Sequence, residues 1–392
     1  MRDRVLRGTV VTDGRLLPDS VVTVAGDRIV AVVPAAAHDG PLPPASSSLL
    51  LPGLVDVHDH GGAGHGFPDA TAAGAAAAVA HHRAHGTTTT VASLVSAPPA
   101  VLAERIATLR PLVVAGDLAG IHLEGPFLAA ARCGAHDPDA IVPGDPALLD
   151  ELLTKADGAV ASVTYAPETA HAADLLAVLA THGVLPSIGH TDADARTTTT
   201  GIARAGGVPM SATHLFNAMP PVHHRAPGPA AACLAAAARG ELVVELVADG
   251  VHLAPDTVAA VFDLVGPDRV ALVTDAMAAA GMPDGRYHLG TMQVRVDDGV
   301  ARLAAGTGGP PGAIAGGTAC LVDVVRETVR DAGVRLQDAV LAATRTPARL
   351  LGLDGEVGSL TPGHRADVLV TDADLRPQQV LRAGLPVTGG GA

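Results

Sequence analysis

Apolar and polar positions divide the chain into two β-rich ends and a different middle. Between Val5 and Leu51, β-branched runs such as Thr9-Val10-Val11-Thr12, Val21-Val22-Thr23-Val24 and Arg28-Ile29-Val30-Ala31-Val32-Val33 alternate with the turn signals Asp13-Gly14 and Gly26-Asp27. This pattern predicts strands joined by tight turns. A Pro/Ala/Ser stretch over 34–48 reads as a linker. Near the other end, Gly363-His364-Arg365-Ala366-Asp367-Val368-Leu369-Val370-Thr371 is strand-like again, and Val380-Leu381 starts another strand. The simplest arrangement is one small β-sandwich domain built from residues 1–51 and 353–392, with the termini close together.

The middle, residues 52–352, alternates strand-like and helix-like pieces. Candidate strands cover 54–58, 88–93, 118–124, 160–165, 185–189, 210–214, 242–248 and 270–274. Helical runs cover 72–85, 100–110, 146–156, 170–182, 192–205, 228–239 and 255–265. Eight strands with helices between them predict an α/β architecture, a (β/α)8 TIM-like barrel. An open doubly wound sheet is the competing arrangement. The position of the polar residues favours the barrel, because they collect at the C-terminal ends of the strands, which in a barrel share one rim.

The first strand ends in Val57-His58-Asp59-His60-Gly61-Gly62. Side chains alternate along a strand, so His58 and His60 face the same way. The third strand ends in His122-Leu123-Glu124, the fifth in Gly189-His190-Thr191 and the sixth in Thr213-His214-Leu215-Phe216-Asn217. The seventh leads to Ala248-Asp249-Gly250-Val251-His252, and the eighth to Thr274-Asp275-Ala276. Glu124, His190 and His214, with His58 and His60, are nitrogen and carboxylate donors suited to Zn²⁺, or to Fe²⁺, Mn²⁺ or Co²⁺. Glu124 could bridge two ions. An ion there activates water, and Asp275 is placed as general acid/base, so the chemistry read from the rim is metal-assisted hydrolysis.

Composition narrows the classes. The chain has 392 residues and a formal charge of −14, which argues against a nucleic-acid partner. No apolar segment has the length of a membrane span, and the Met1-Arg2-Asp3-Arg4 start has no apolar run behind it, so neither a membrane partner nor a secretory signal is expected. Cys133, Cys233 and Cys320 are far apart and lack CxxC spacing. A reducing, cytoplasmic setting follows as the default. Trp is absent and aromatics are 2% of residues, so Ala, Val and Leu must build the core.

Taken together, these residues resemble the amidohydrolase superfamily and, within it, the N-acetylglucosamine-6-phosphate deacetylases. The resemblance rests on Leu51-Pro52-Gly53-Leu54-Val55-Asp56-Val57-His58, His122-Leu123-Glu124-Gly125-Pro126-Phe127, Gly134-Ala135-His136, Gly189-His190-Thr191, Thr213-His214-Leu215-Phe216-Asn217-Ala218-Met219, Ala248-Asp249-Gly250-Val251-His252 and Thr274-Asp275-Ala276. It extends to Ile314-Ala315-Gly316-Gly317-Thr318 and Thr346-Pro347-Ala348-Arg349-Leu350. It implies hydrolysis of the acetyl group of an amino-sugar phosphate, one or two divalent ions per subunit, and a homodimer.

By position, the resemblance makes Glu124, His190 and His214 metal ligands and His58 and His60 a second-metal pair. It makes Asp275 the acid/base and gives His136 a role in polarising the acetyl carbonyl. Ala135 and His136 match sugar-binding positions, and Asn217, Ala218, Arg225 and His252 match sugar-phosphate contacts. Ile314, Ala315 and Gly316 match a segment over the acetyl group. Many two-metal members use a carbamylated lysine on the fourth strand. Here the only lysine, Lys155, precedes that strand in a helical run, and Glu124 takes the bridging place.

Three positions depart from the family pattern. Ala226 stands where Glu is common, Asp59 lies within the HxH, and Gly317 replaces a usual Ser. An amidohydrolase acting on another acetylated sugar phosphate, an N-acyl amino acid or a cyclic amide is the second reading. A non-catalytic metal or sugar-phosphate binder is the third.

Overall fold

The computed structural model describes residues 4–305 and 312–388; the Met1-Arg2-Asp3 start lies outside them. Eight parallel strands run in chain order through one sheet: Leu54–Asp59, Thr87–Val95, Gly120–Glu124, Val160–Tyr165, Leu185–Ile188, Ser211–Ala212, Val243–Leu246 and Val270–Leu272. Beyond the last strand the sheet closes on the first. Asp275 N–H donates to the His58 carbonyl at 2.9 Å, and His60 N–H to the Ala276 carbonyl at 2.7 Å. Closure excludes the open doubly wound sheet. The strands sit within a ring of helices: Ala72–Ala84, Pro99–Val114, Pro146–Ala156, Ala172–His182, Ala195–Arg204, Gly228–Ala238, Pro255–Val265 and Leu321–Arg330.

Local sequence explains these boundaries. Thr71, Asp145 and Asp194 accept hydrogen bonds from first-turn amides of the helices that follow them, each cap worth about 1 kcal/mol. Pro99, Pro146 and Pro255 open their helices, where a missing N–H costs nothing. The second strand is buried along its whole length, including Thr87-Thr88-Thr89-Thr90. Small side chains let helices approach the barrel without aromatic filling: Cys233, Ala236 and Ala237 on Gly228–Ala238 are fully buried.

Both chain ends meet in a seven-stranded sheet. Leu49–Pro52 pairs with Val368–Thr371 on one side and with Arg4–Thr12 on the other. Val10, Val22, Ile29, Leu50, Val368 and Leu381 form its own apolar cluster. The sheet is pinned to the N-terminal end of the barrel. Arg365 Nε donates to both Asp367 oxygens at 3.0 Å, and its Nη2 to Thr89 Oγ1 at 3.2 Å. Gly86, at φ +102°, lets Leu369 pack against the turn into the second barrel strand, where a Cβ would lie 2.6 Å from Leu369 Cδ2.

An element not expected from the sequence follows the barrel. Gly285–Leu289, Met292–Asp297 and Val300–Leu303 form a three-stranded antiparallel sheet. Met292–Asp297 alternates buried and exposed positions, and its buried face joins Met277, Ala279 and Ala315 in a small second core. This sheet carries the segment over the barrel mouth: Leu303 N–H donates to Ala313 O at 2.9 Å and Ala315 N–H to Ala301 O at 3.0 Å. Among the described residues, no helix is long and apolar enough to cross a membrane.

Candidate active site and metal centre

The strand ends deliver their polar residues to one cavity of about 220 Å³. His60, Glu124, Ala135, His136, His190, His214, Asn217, Ala218, His252, Asp275, Ile314 and Gly316 line it. His58 is fully buried beneath the wall, and Ala315 faces the small second core. Arg225 is exposed on the loop before Gly228–Ala238 and does not line the cavity of its own chain.

Four imidazoles and one carboxylate converge. His58 Nε2 lies 3.1 Å from His60 Nε2, and His190 Nε2 lies 3.1 Å from His214 Nε2. Glu124 stands between the pairs. Its Oε1 is 3.0 Å from His190 Nε2 and 2.8 Å from His214 Nε2, while its Oε2 is 3.2 Å from His60 Nε2. Asp275 Oδ1 approaches His58 and His60 Nε2 at 3.4 and 3.3 Å.

Hydrogen bonds at the far ring nitrogens decide which atoms are free. His58 Nδ1 faces Glu245 Oε2 at 3.3 Å, His60 Nδ1 faces Ser93 O at 3.1 Å, and His190 Nδ1 faces Arg132 O at 2.8 Å. These partners only accept, so the Nδ1 atoms carry protons and the Nε2 atoms are the ones turned inward. Two Nε2 atoms 3.1 Å apart cannot both present a bare lone pair without repulsion, so a proton or a metal ion has to sit among them. Around an ion at ordinary metal–nitrogen distances of about 2.0–2.1 Å, tetrahedral ligand atoms are separated by roughly 3.3 Å. The donor set therefore fits one or two divalent ions, with Glu124 facing both pairs. His58–His60–Glu124 is one compact buried group and Glu124–His136–His190 another.

His136 differs from the other rings. Its Nδ1 accepts from Ser96 N–H at 3.0 Å, so Nε2 carries the proton and donates to Glu124 Oε2 at 3.1 Å. That makes it a hydrogen-bond donor facing the cavity and not a metal ligand. Burial, partly offset by Glu124, lowers the His136 imidazole to about 4, so it stays neutral near pH 7. Burial opposes ionisation of Glu124, but His136, His58 and His190 outweigh it and hold the carboxyl well below its usual range. Asp275 is likewise held low against burial, by His58 and His60. Burial also works against charge on His60, yet Asp275 and Glu124 raise it to about 9. Protons and a divalent ion therefore compete for the same ring nitrogens.

Backbone strain gathers here too. His190, His214, Ala218 and Asp275 have φ values of 47°, 27°, 52° and 47°, a region disfavoured for residues with a side chain. Gly317 explains one departure from the family pattern. Its N–H donates to Asp275 O at 2.6 Å, Met277 N–H donates back to its carbonyl at 2.9 Å, and a Cβ would lie 2.4 Å from Thr274 O. In this register no Ser side chain fits. Asp59 is fully buried, its Oδ1 accepting from Gly61 N–H at 2.7 Å and its Oδ2 3.5 Å from His82, so it is not solvated.

Sequence reasoning missed three supports. Glu245, within an apolar strand, also accepts from Ser211 Oγ at 2.7 Å. Asp56 accepts from Thr274 Oγ1 at 2.6 Å across the closure. Leu289, from the unexpected sheet, lines the cavity.

The model of the amidohydrolase family matches residues 49–386. An N-acetylglucosamine-6-phosphate deacetylase of Bacillus subtilis is 31% identical over 93% of this chain and 92% of its own length. An N-acetylgalactosamine-6-phosphate deacetylase of Escherichia coli O157:H7 is 32% identical over 95% of both. A solved N-acetyl-D-glucosamine-6-phosphate deacetylase from Mycobacterium smegmatis, in complex with N-acetyl-D-glucosamine-6-phosphate, superposes with a TM-score of 0.90 at 41% identity, covering 99% of this chain and 100% of that one.

Proposed function

The chain belongs to the amidohydrolase family, and from that premise we propose that it removes the acetyl group of N-acetylglucosamine-6-phosphate, giving acetate and glucosamine-6-phosphate. The observation that carries the reading is the convergence of the Glu124-centred donor set, Asp275 and the His136 donor on one cavity. A divalent ion, Zn²⁺ in the first instance, held by Glu124, His190 and His214 and joined by a second at His58 and His60, supplies Lewis acidity toward water and the acetyl carbonyl.

The chain's own groups do the rest. Asp275 accepts a proton from the attacking water, and His136 Nε2–H donates to the acetyl oxygen as charge develops there. The C–N bond breaks as Asp275 returns the proton to the departing amine, so water is divided between acetate and the free amino sugar. Ile314 and Gly316 cover the acetyl group, and Ala135 packs beside the sugar. Asn217, the Ala218 N–H and His252 face the sugar phosphate. The position of Arg225 outside its own cavity supports a homodimer in which its forked guanidinium reaches the neighbour's phosphate. The free, buried cysteines among the described residues fit a cytoplasmic setting.

The test is acetate release by metal-loaded protein from N-acetylglucosamine-6-phosphate and from the unphosphorylated sugar. Turnover of the phosphorylated sugar supports the reading, and Arg225→Ala then costs about 2 kcal/mol, roughly 30-fold in kcat/KM, on that substrate alone. No acetate from the phosphorylated sugar removes it. Because the Escherichia coli relative acts on the galacto epimer, a second reading is N-acetylgalactosamine-6-phosphate as substrate. Side-by-side kcat/KM values for the two epimers separate them.

A further inference from the structure

A second set of metal-ligating side chains lies outside the barrel, on elements the proposed reaction does not use. His81 sits in the last turn of Ala72–Ala84 and His85 is the C-cap residue of that helix. Four residues apart, they share a helix face. Cys320 is the N-cap of Leu321–Arg330. His81 Nε2 is 3.5 Å from Cys320 Sγ, and one ring nitrogen of each histidine and the sulfur lie within 4.8 Å of one another. Around an ion with metal–sulfur and metal–nitrogen distances of about 2.3 and 2.05 Å, the tetrahedral N···S edge is roughly 3.6 Å. The observed separation already matches that edge.

The surroundings prepare these donors. His85 Nδ1–H donates to the His81 carbonyl at 2.8 Å, leaving its Nε2 with the lone pair. Burial and the neighbouring His82 and His85 lower the His81 imidazole to about 4, so it is neutral near pH 7. Burial pushes the Cys320 thiol up, but the helix N-terminus it caps favours its anion, the sulfur accepting from the Asp323 N–H. The helix bearing the histidines ends at His85, and a helix C-terminus favours a cation. The Asp323 carboxylate, accepting from Cys320 N–H at 3.2 Å, adds negative charge nearby.

We propose that His81, His85 and Cys320 form a separate site for a thiophilic divalent cation of the zinc class, with a fourth position open to water. Binding converts the Cys320 thiol to a coordinated thiolate, and its proton leaves to solvent. The ion ties the first barrel helix to the helix that begins four residues after Gly317, at the end of the segment over the cavity.

The test uses full-length protein stripped by chelation and reloaded with Co²⁺. The catalytic cage offers only nitrogen and oxygen donors, so a near-ultraviolet thiolate-to-cobalt charge-transfer band reports this site. Wild type is expected to show the band and to bind one more equivalent than Cys320→Ser and His85→Ala, both of which lack it. Serine keeps the helix cap, so loss of the band in that variant is not a folding failure. Equal stoichiometry in all three proteins, no band in wild type, or a band that survives Cys320→Ser would each overturn the assignment.

Discussion

The two ends of the barrel treat charge in opposite ways. At the N-terminal end, where the seven-stranded sheet is pinned, the buried Asp367 carboxylate meets Arg365 Nε and the Ala383 N–H. Arg382 bonds the Thr88 carbonyl, and Arg83 bonds Asp117. Each of these guanidinium groups meets a carboxylate or a backbone carbonyl. At the C-terminal end, imidazole nitrogens face one another at 3.1 Å around a single glutamate, and His190, His214 and Asp275 hold strained backbone. The first end is arranged for stability. The second keeps strained backbone and close nitrogen contacts that a proton or a divalent ion must relieve, which marks it as the candidate working face.

Substitutions can break or sharpen that contrast. The largest effect is expected from Asp275→Asn, which should lower kcat about 10³-fold while metal analysis gives an unchanged ion content. Retained turnover would take Asp275 out of the reaction. Next, Arg365→Ala at the opposite end leaves Asp367 buried without its partner and should cost about 3 kcal/mol of stability in denaturant titration. Its kcat/KM should stay close to wild type; a large drop would mean the two ends are not independent. Glu245→Gln should weaken ion binding about 10- to 100-fold in chelator competition without unfolding the protein, because it removes the carboxylate behind His58.

The smallest expected effect concerns Glu327, half-buried near Asp249, Asp331 and Asp323. Burial and these neighbours raise its carboxyl to about 7. A folded-state value above the unfolded one means that the unfolded chain gives up its proton first. Stability from this group is thus full below about 4.3 and declines as pH rises through 7. Glu327→Gln should flatten the pH dependence of Tm between about pH 5 and 8. An unchanged slope would show that other groups set it.

Much of this was legible in the chain. Strand ends such as His58, Glu124, His190 and Asp275 were found because a barrel sends residues far apart in sequence to one rim. The helices over Pro146–Ala156 and Pro255–Val265 match their predicted limits because proline opens both, with Asp145 capping the first and Gly266 ending the second. The three-stranded sheet was missed although Met292–Asp297 alternates perfectly, since the barrel's own rhythm had already accounted for the alternation of the middle segment. Glu245 was hidden for another reason. It lies inside the apolar run Leu242-Val243-Val244-Glu245-Leu246-Val247, and only the folded barrel brings His58 to it. Arg225 carried a family position but no local geometry, and its own chain does not complete the site around it.

The closure between the first and last barrel strands has a consequence for how activity arises in time. Asp275 N–H holds the His58 carbonyl, and Asp56 accepts from Thr274 Oγ1, across more than half of the chain's length. The groups that zip the cylinder shut are neighbours of, or identical to, those proposed to bind the ion and move the proton. Contacts so distant in sequence form late. A chain stalled during synthesis, or trapped on refolding with its last strand undocked, would be catalytically silent however much of the rest had formed. Recovery of turnover is thus a clock for completion of the whole ring.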